Sequence, residues 1–250
     1  MNHHATIISG HRIITYDPSR DLVSNDIHCA NHESFISTII QGFIHPGDYA
    51  LDIGAHIGIH TLTMAKAVGN LGIVTAFEPD PSHYKILQKN IQMNGYTHVT
   101  CFPVAVLNRE GTTSLYRSYN NSGDNRIWKS PEPRQEIPVR CISLDSLMNY
   151  HSKCNFIKID IQGGEVLALR GMRKLIEYQK RLSLIIEFWP LGIKNAGGSI
   201  EELQRQLHDF WLFQIKEDKK KISAVDDLGD LIIPGTDHFT NLLCVKKQRD

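Results

Sequence analysis

The sequence predicts an α/β fold, a mostly parallel sheet with helices on both faces. Three observations carry that expectation. Short apolar runs alternate with helix-length segments through the middle of the chain. The runs "YALDI", "GIVTAFEP" and "FIKIDI" read as strands buried on both faces. The segments between them are long enough for the crossovers that parallel pairing requires.

Taken in order, the first 25 residues are weakly patterned, with a short strand at "RIITY". "HESFISTIIQGFI" sets Phe35, Ile36, Ile39, Ile40 and Phe43 at helical spacing, and "HPGD" stops it. "YALDI" is the first central strand, and "GIHTLTMAKAV" is a helix ending at Gly69-Asn70. "GIVTAFEP" is a strand closed by Pro79. "SHYKILQKNIQMN" is a helix, with Ser82 as its cap and Gly95 past its end. "HVTCFPVAV" is the third strand. Residues 107–140 then break the alternation. "GTTSLYRS" and "EIPVRC" read as hairpin strands around "YNNSGDNRIWKSPEPRQ", whose composition suits a mobile lid. "FIKIDI" and "RLSLIIEFW" are the fourth and fifth strands, joined by one helix, "GEVLALRGMRKLIEYQ". "SIEELQRQLHDF" is a helix capped by Ser199. "WLFQIK" and "NLLCVKK" close the sheet. No helix separates them, so the second enters antiparallel beside the first. Residues 219–237 read as a second loop-rich region.

Lys+Arg and Asp+Glu both number 27, so a broadly basic nucleic-acid surface is not expected. No run of 18 apolar residues and no signal-peptide pattern is present, which predicts a cytoplasmic protein without a membrane span. The five cysteines show no CxxC spacing, which argues against a disulfide framework or zinc knuckle. Cys101, Cys141 and Cys244 lie in apolar runs and read as buried thiols.

The chemistry concentrates in "YALDIGAHIGIHTLTMAKAVG". Gly54 and Gly58 fall between a strand and its helix, where glycine allows tight turning and close approach of a ligand. The next strand ends in "FEPD", placing Glu78 26 residues after Asp52. A carboxylate there can accept both hydroxyls of a ribose. The spacing Asp-x-Gly-x-x-x-Gly differs from the GxGxxG of dinucleotide sites. An acid in the turn is awkward beside a pyrophosphate and suits a cationic amino group. S-adenosyl-L-methionine is therefore expected in preference to NAD.

These segments, together with "VTAFEPDPSHYKILQKNIQMNG", "VAVLNREGTTSLY", "IPVRCISLDSL" and "FIKIDIQGGEVLALRGM", resemble the FkbM-type S-adenosylmethionine-dependent methyltransferases over about residues 30–190. The resemblance implies a class I methyltransferase (Rossmann-like) three-layer sandwich, its seven-stranded sheet ending in an antiparallel strand. It also implies O-methylation of a hydroxyl on a sugar, glycan or secondary metabolite. Two positions depart from the family's pattern: His56 stands where Asn is common, and Gln162 where Glu is common. Two units are expected. Residues 1–45 form a strand/helix segment covering the pocket, and residues 46–250 the cofactor domain with the insert at 107–140.

The cofactor residues expected are Asp52, Gly54, His56, Gly58, Thr61, Glu78, Asp80, Val104, Ala105 and Asp160. Asp52 faces the amino group, Glu78 the ribose, and Val104 and Ala105 the adenine that the fold places at that strand end. Thr61 either bonds the cofactor carboxylate or back-bonds within its helix. Asp80 either lines the rim or caps the helix after Pro81. The catalytic candidates are Asp160, Glu165 and Glu187, three acids at strand ends or a helix start on one sheet edge. Asp160 is the preferred base. Glu165 also fits the ordinary preference of acids for a helix's first turn. His32 is a further base candidate, and Trp128 and Trp189 are candidates for an apolar or sugar-stacking wall. His56 and His60 have i, i+4 spacing but lack the HExxH glutamate, so no metal is expected. A small-molecule or carbohydrate acceptor follows, with oligomeric state left open. An NAD-dependent oxidoreductase and a non-catalytic cofactor-binding homologue are the alternatives. A nucleic-acid methyltransferase is disfavoured, because "DIQG" is not the Asn/Asp-Pro-Pro-aromatic tetrad.

Overall fold

The computed structural model describes residues 4–29, 33–147 and 153–248. The chain starts with a hairpin of β1 (His4–Ile8) and β2 (His11–Thr15), then α1 (Leu22–His28) and α2 (Ser34–Phe43). Two βα steps and a strand follow: β3 (Tyr49–Ile53) and α3 (Ile59–Val68), β4 (Ile73–Phe77) and α4 (Pro81–Met93), then β5 (Val99–Phe102). The insert holds β6 (Ala105–Val106), β7 (Gly111–Arg117) and β8 (Gln135–Ile142), with the short α5 (Leu144–Leu147) after it. The second half runs β9 (Phe156–Ile159), α6 (Glu165–Arg170), α7 (Arg173–Tyr178), β10 (Ser183–Phe188), α8 (Pro190–Asn195) and α9 (Ile200–Gln206). It closes with β11 (Phe210–Lys216), β12 (Lys221–Val225) and β13 (Thr240–Lys246).

The main sheet has the order β12-β11-β13-β10-β9-β3-β4-β5. Its centre is parallel, and β13 runs antiparallel between β10 and β11. The expected seven strands are therefore joined by an eighth, β12, which folds back on β11 from the region read as loop. Two further elements differ from the sequence reading. "HVTCFPVAV" divides at Pro103, and β6 leaves the sheet to pair with β8. The helix expected over residues 164–179 divides at Gly171, where a Cβ would lie 1.9 Å from the Leu107 carbonyl oxygen. β7 and β8 form the expected antiparallel pair.

Alternation along each strand separates two layers. Ala50, Val74, Phe156 and Ile185 face α2 and α3, whose Ile36, Ile40, Met64 and Val68 are fully buried against them. Leu51, Ile53, Ile157, Ile159, Leu184 and Ile186 face α6, α7 and α9. The starts of α9 and α4 each have a side-chain cap close in sequence. Ser199 accepts from the Glu202 N–H at the start of α9. For α4 the cap is Asp80, not the expected Ser82. Asp80 Oδ1 accepts from the Ser82 N–H at 2.7 Å, and Pro81 opens the helix. Among the cysteines, Cys141 and Cys244 are buried, while Cys101 stays partly exposed. No helix among the described residues is long and apolar enough to cross a membrane.

Candidate functional site

Ile53 pairs with Phe77 on one side and Ile159 on the other, and Ile159 with Ile186. That register brings the ends of β3, β4, β9 and β10 to one level. Gly54, Glu78 and Asp160, just beyond those ends, and Glu187, inside the end of β10, open on one cleft of about 400 Å³, a size and place common for ligand sites in open α/β sheets.

Asp52 lies at the floor of this cleft, 1% exposed and directly opposite Lys158 in the pairing of β3 with β9. Its Oδ2 accepts the Thr61 hydroxyl at 2.5 Å. Its Oδ1 has no hydrogen-bond partner among the described residues. Burial pushes the carboxyl pKa up, opposed by Lys158 and the Thr61 hydroxyl. A buried acceptor left unmatched costs stability. A ligand ammonium or amide donor in the cleft would satisfy it, which is the fit required of a cationic nucleoside. Thr61 is fully buried and spends its hydroxyl on Asp52, so neither of the two roles expected for it is seen.

Glu78 is held by backbone. The His56 N–H donates to Oε2 and the Asp80 N–H to Oε1, both at 2.8 Å. Each oxygen thus has one backbone donor and keeps acceptor capacity for a further hydroxyl. His56 takes φ 51°, which aims its N–H at Glu78, while its ring meets Ser122 Oγ at 2.8 Å. Gly54 has φ 84°, and a Cβ there would sit 1.9 Å from the Asp160 carbonyl oxygen. Its glycine thus serves the close crossing of two chain segments. Val104 and Ala105 line the cleft beside Glu78.

Asp160 receives Lys158 Nζ at 2.7 Å on Oδ2 and the Gln162 amide at 3.1 Å on Oδ1. The same amide donates to both oxygens of Glu187, at 3.1 and 3.0 Å. Burial, then the charges of Asp160 and Glu165, push the Glu187 carboxyl well above its ordinary range. Burial disfavours a charged Lys158, but Asp160, Glu33 and Asp52 outweigh it and hold the ammonium charged. A cation and several acids are thereby set side by side in a site shielded from water.

Besides Thr61, three expected residues do not line the cleft. Glu165 is fully buried, and its Oε1 accepts the Ile161 N–H at 3.0 Å and the Gly163 N–H at 3.2 Å. Burial pushes its pKa up to about 7. It secures the β9–α6 turn, so it is placed as a structural acid and not beside a reacting group. Asp80 turns away to cap α4 and to bind the Arg117 guanidinium through both oxygens at 2.6 Å. Gly58, the N-cap of α3 with φ 98°, is packed against Leu87 of α4. His32 lies outside the described residues.

Other cleft residues were not singled out from the sequence. Lys158 is readable in hindsight as the one cation inside the apolar run "FIKIDI". Ser122 and Arg126 carry no local signal, since the folding of the insert brings them in. Trp189 lines the cleft, whereas Trp128 sits behind it, donating to the Gln162 carbonyl at 2.9 Å. The rings of His56 and His60 part, the second meeting Glu33 at 2.5 Å. Among the described residues no group of three His, Cys, Asp or Glu is arranged to hold a metal ion.

A model of the methyltransferase FkbM domain matches residues 52–217. None of the curated proteins matches the chain in sequence. Solved structures share the fold at low identity. A methyltransferase FkbM from Methylobacillus flagellatus KT is 15% identical with a TM-score of 0.48, the match covering 83% of this chain and 50% of that one. This chain thus spans about half the length of that protein. SMU.1697c of Streptococcus mutans, in complex with SAH, is 8% identical with a TM-score of 0.50, covering 85% and 96%. An rRNA methylase from Streptococcus thermophilus is 9% identical with a TM-score of 0.49, covering 86% and 95%.

Proposed function

The chain belongs to the methyltransferase FkbM domain family, and we propose that it transfers the methyl group of S-adenosyl-L-methionine to a hydroxyl of a sugar, glycan or secondary metabolite. The observation that carries this reading is the pairing of Asp52 with Glu78. One is a buried acid with an unmatched oxygen; the other is a carboxylate fixed by two backbone donors at the adjoining strand end.

Asp52 accepts the amino group and Glu78 the ribose hydroxyls, with Val104 and Ala105 against the adenine. His56 acts through its backbone N–H, which orients Glu78. When bound, the cofactor's sulfonium supplies an activated methyl group and a good leaving group. The protein aligns the acceptor oxygen with that methyl, an effect worth up to about 7–11 kcal/mol. Asp160 would take the proton of the acceptor hydroxyl, and a positioned base contributes on the order of 10²–10⁴-fold. Lys158 donates to Asp160 Oδ2 at 2.7 Å and so fixes the orientation of that carboxylate. Glu187, linked to Asp160 through the Gln162 amide, receives a second polar group of the acceptor. The protein works as a cytoplasmic enzyme on a small acceptor.

Calorimetric titration with S-adenosylhomocysteine and, separately, with NAD tests the cofactor reading. Micromolar-range binding of the first and none of the second is expected. Preference for NAD would overturn it. A screen of hydroxylated acceptors with labelled methyl donor then tests the reaction.

A further inference from the structure

The cleft has a second wall, built by the insert, whose chemistry opposes that of the strand ends. Arg126 lines it while only 6% exposed. Its guanidinium lies over the ring of Trp128 at 4.4 Å and over that of Trp189 at 5.0 Å. The two indoles, 5.6 Å apart, hold the planar group in one orientation. Nε and Nη2 both donate to Asp124 Oδ1. Asp124 is not theirs alone, because Arg134 takes its other carboxylate oxygen and its carbonyl. One carboxylate therefore serves two guanidinium groups. Glu132, the other acid nearby, is two-thirds exposed and reaches Arg134 at 3.3 Å, not Arg126. Nη1 of Arg126 makes no hydrogen bond among the described residues, so a guanidinium that lines the cleft keeps donor capacity.

We infer that Arg126 reads an anionic group, a carboxylate or a phosphate, carried by the hydroxylated acceptor. The inference rests on the cleft being the methyl-transfer site. The opposite wall holds Asp52, Asp160 and Glu187, with Glu33 at its rim. The cation on that wall, Lys158, is already bound to Asp160 and stands opposite Asp52, so an anion is disfavoured there and better matched at Arg126. Charge thus orients the acceptor: its anionic end on Arg126, its body beside Trp189 where that residue lines the cleft, its hydroxyl toward Asp160. A neutral acceptor would have no such preference and would leave the guanidinium partly unmatched.

The test uses the full chain saturated with S-adenosylhomocysteine, titrated calorimetrically with methyl glucoside, glucuronate and glucose 6-phosphate. One of the two anions should bind roughly tenfold or more tighter than the neutral sugar, as charge-assisted pairing to a planar guanidinium provides. Whichever binds better identifies carboxylate or phosphate. Arg126→Met should erase that preference and Arg126→Lys keep part of it. Equal affinities, no saturable binding of any of the three, or a preference that survives Arg126→Met would each overturn the inference. The comparison on the unmodified chain stands even where a variant fails to fold. The prior titration with S-adenosylhomocysteine alone reports on the cofactor reading, so the two failures are distinguishable.

Discussion

Single residues in this cleft are held in states that water would not permit, and that makes their roles measurable. Asp52→Asn keeps an oxygen for the Thr61 hydroxyl but removes the charge. Hydrogen bonds to charged groups contribute about 1.5–3 kcal/mol, so affinity for S-adenosylhomocysteine should fall roughly 10- to 100-fold by calorimetry. Unchanged affinity would remove Asp52 from the site. Glu165 gives a pH signature. Its folded pKa is raised from 4.5 to about 7 by burial first. The folded state therefore holds a proton that the unfolded state releases, and stability is lost as pH rises from about 4.5 to about 7. Glu165→Gln keeps the oxygen that the Ile161 and Gly163 N–H groups need, so its Tm should gain on the parent between pH 5 and 8. A parallel loss of Tm in both proteins across that window would contradict the assignment. At this scale Asp52, Glu78 and Asp160 are legible in the sequence, because each acid interrupts an apolar run beside a strand end. The local alternatives for Asp80 and Glu165, a cap and a first-turn acid, are legible too, but the bond of Asp80 to Arg117 is not, since that partner lies on another segment.

Between residues and the whole molecule, contacts between elements decide where helices stop. Nothing in "GEVLALRGMRKLIEYQ" marks Gly171 as more than a tolerated glycine. The break exists because the Leu107 backbone of the insert fills the space a side chain would take. Gly171→Ala should therefore cost several kcal/mol, on the order of an overpacked core position or more. At Gly95, with φ 73° and nothing within 4 Å, alanine should cost only about 1 kcal/mol. Thermal unfolding of the pair checks the ranking, and equal shifts would refute it. The insert is fastened by Ser122. Its N–H and hydroxyl donate to Asp21 at 2.8 and 3.0 Å, and its oxygen lies 2.8 Å from His56 Nε2. Ser122→Ala should speed amide exchange in residues 118–126 and leave the central strands protected. Exchange unchanged in that segment would show that the fastening lies elsewhere.

At the scale of the whole molecule, Lys+Arg and Asp+Glu balance at 27 each. A chain of zero net charge should leave a polyanion column at low salt and bind a structured RNA with a shallow salt dependence. A steep dependence, of several phosphate contacts, would move the acceptor toward nucleic acid. The alternation of strands and helices, the antiparallel entry of β13 and the site at the strand tips follow from apolar periodicity and from the punctuation at Gly54 and Pro79. These are local patterns, and a parallel sheet leaves few ways to arrange them. β12 escaped because "KISAV" is short and half exposed at an edge, where strand and loop differ little in composition. The sequence by itself thus determined the sheet, its cofactor edge and the acids at its tips. Only the tertiary structure decided that Asp124 is shared by two arginines, that two indoles from distant segments clasp Arg126, and that one amide joins Asp160 to Glu187. Those contacts join segments far apart in the chain, and their energies depend on burial and on which partners are already spent, quantities that no local stretch of residues contains.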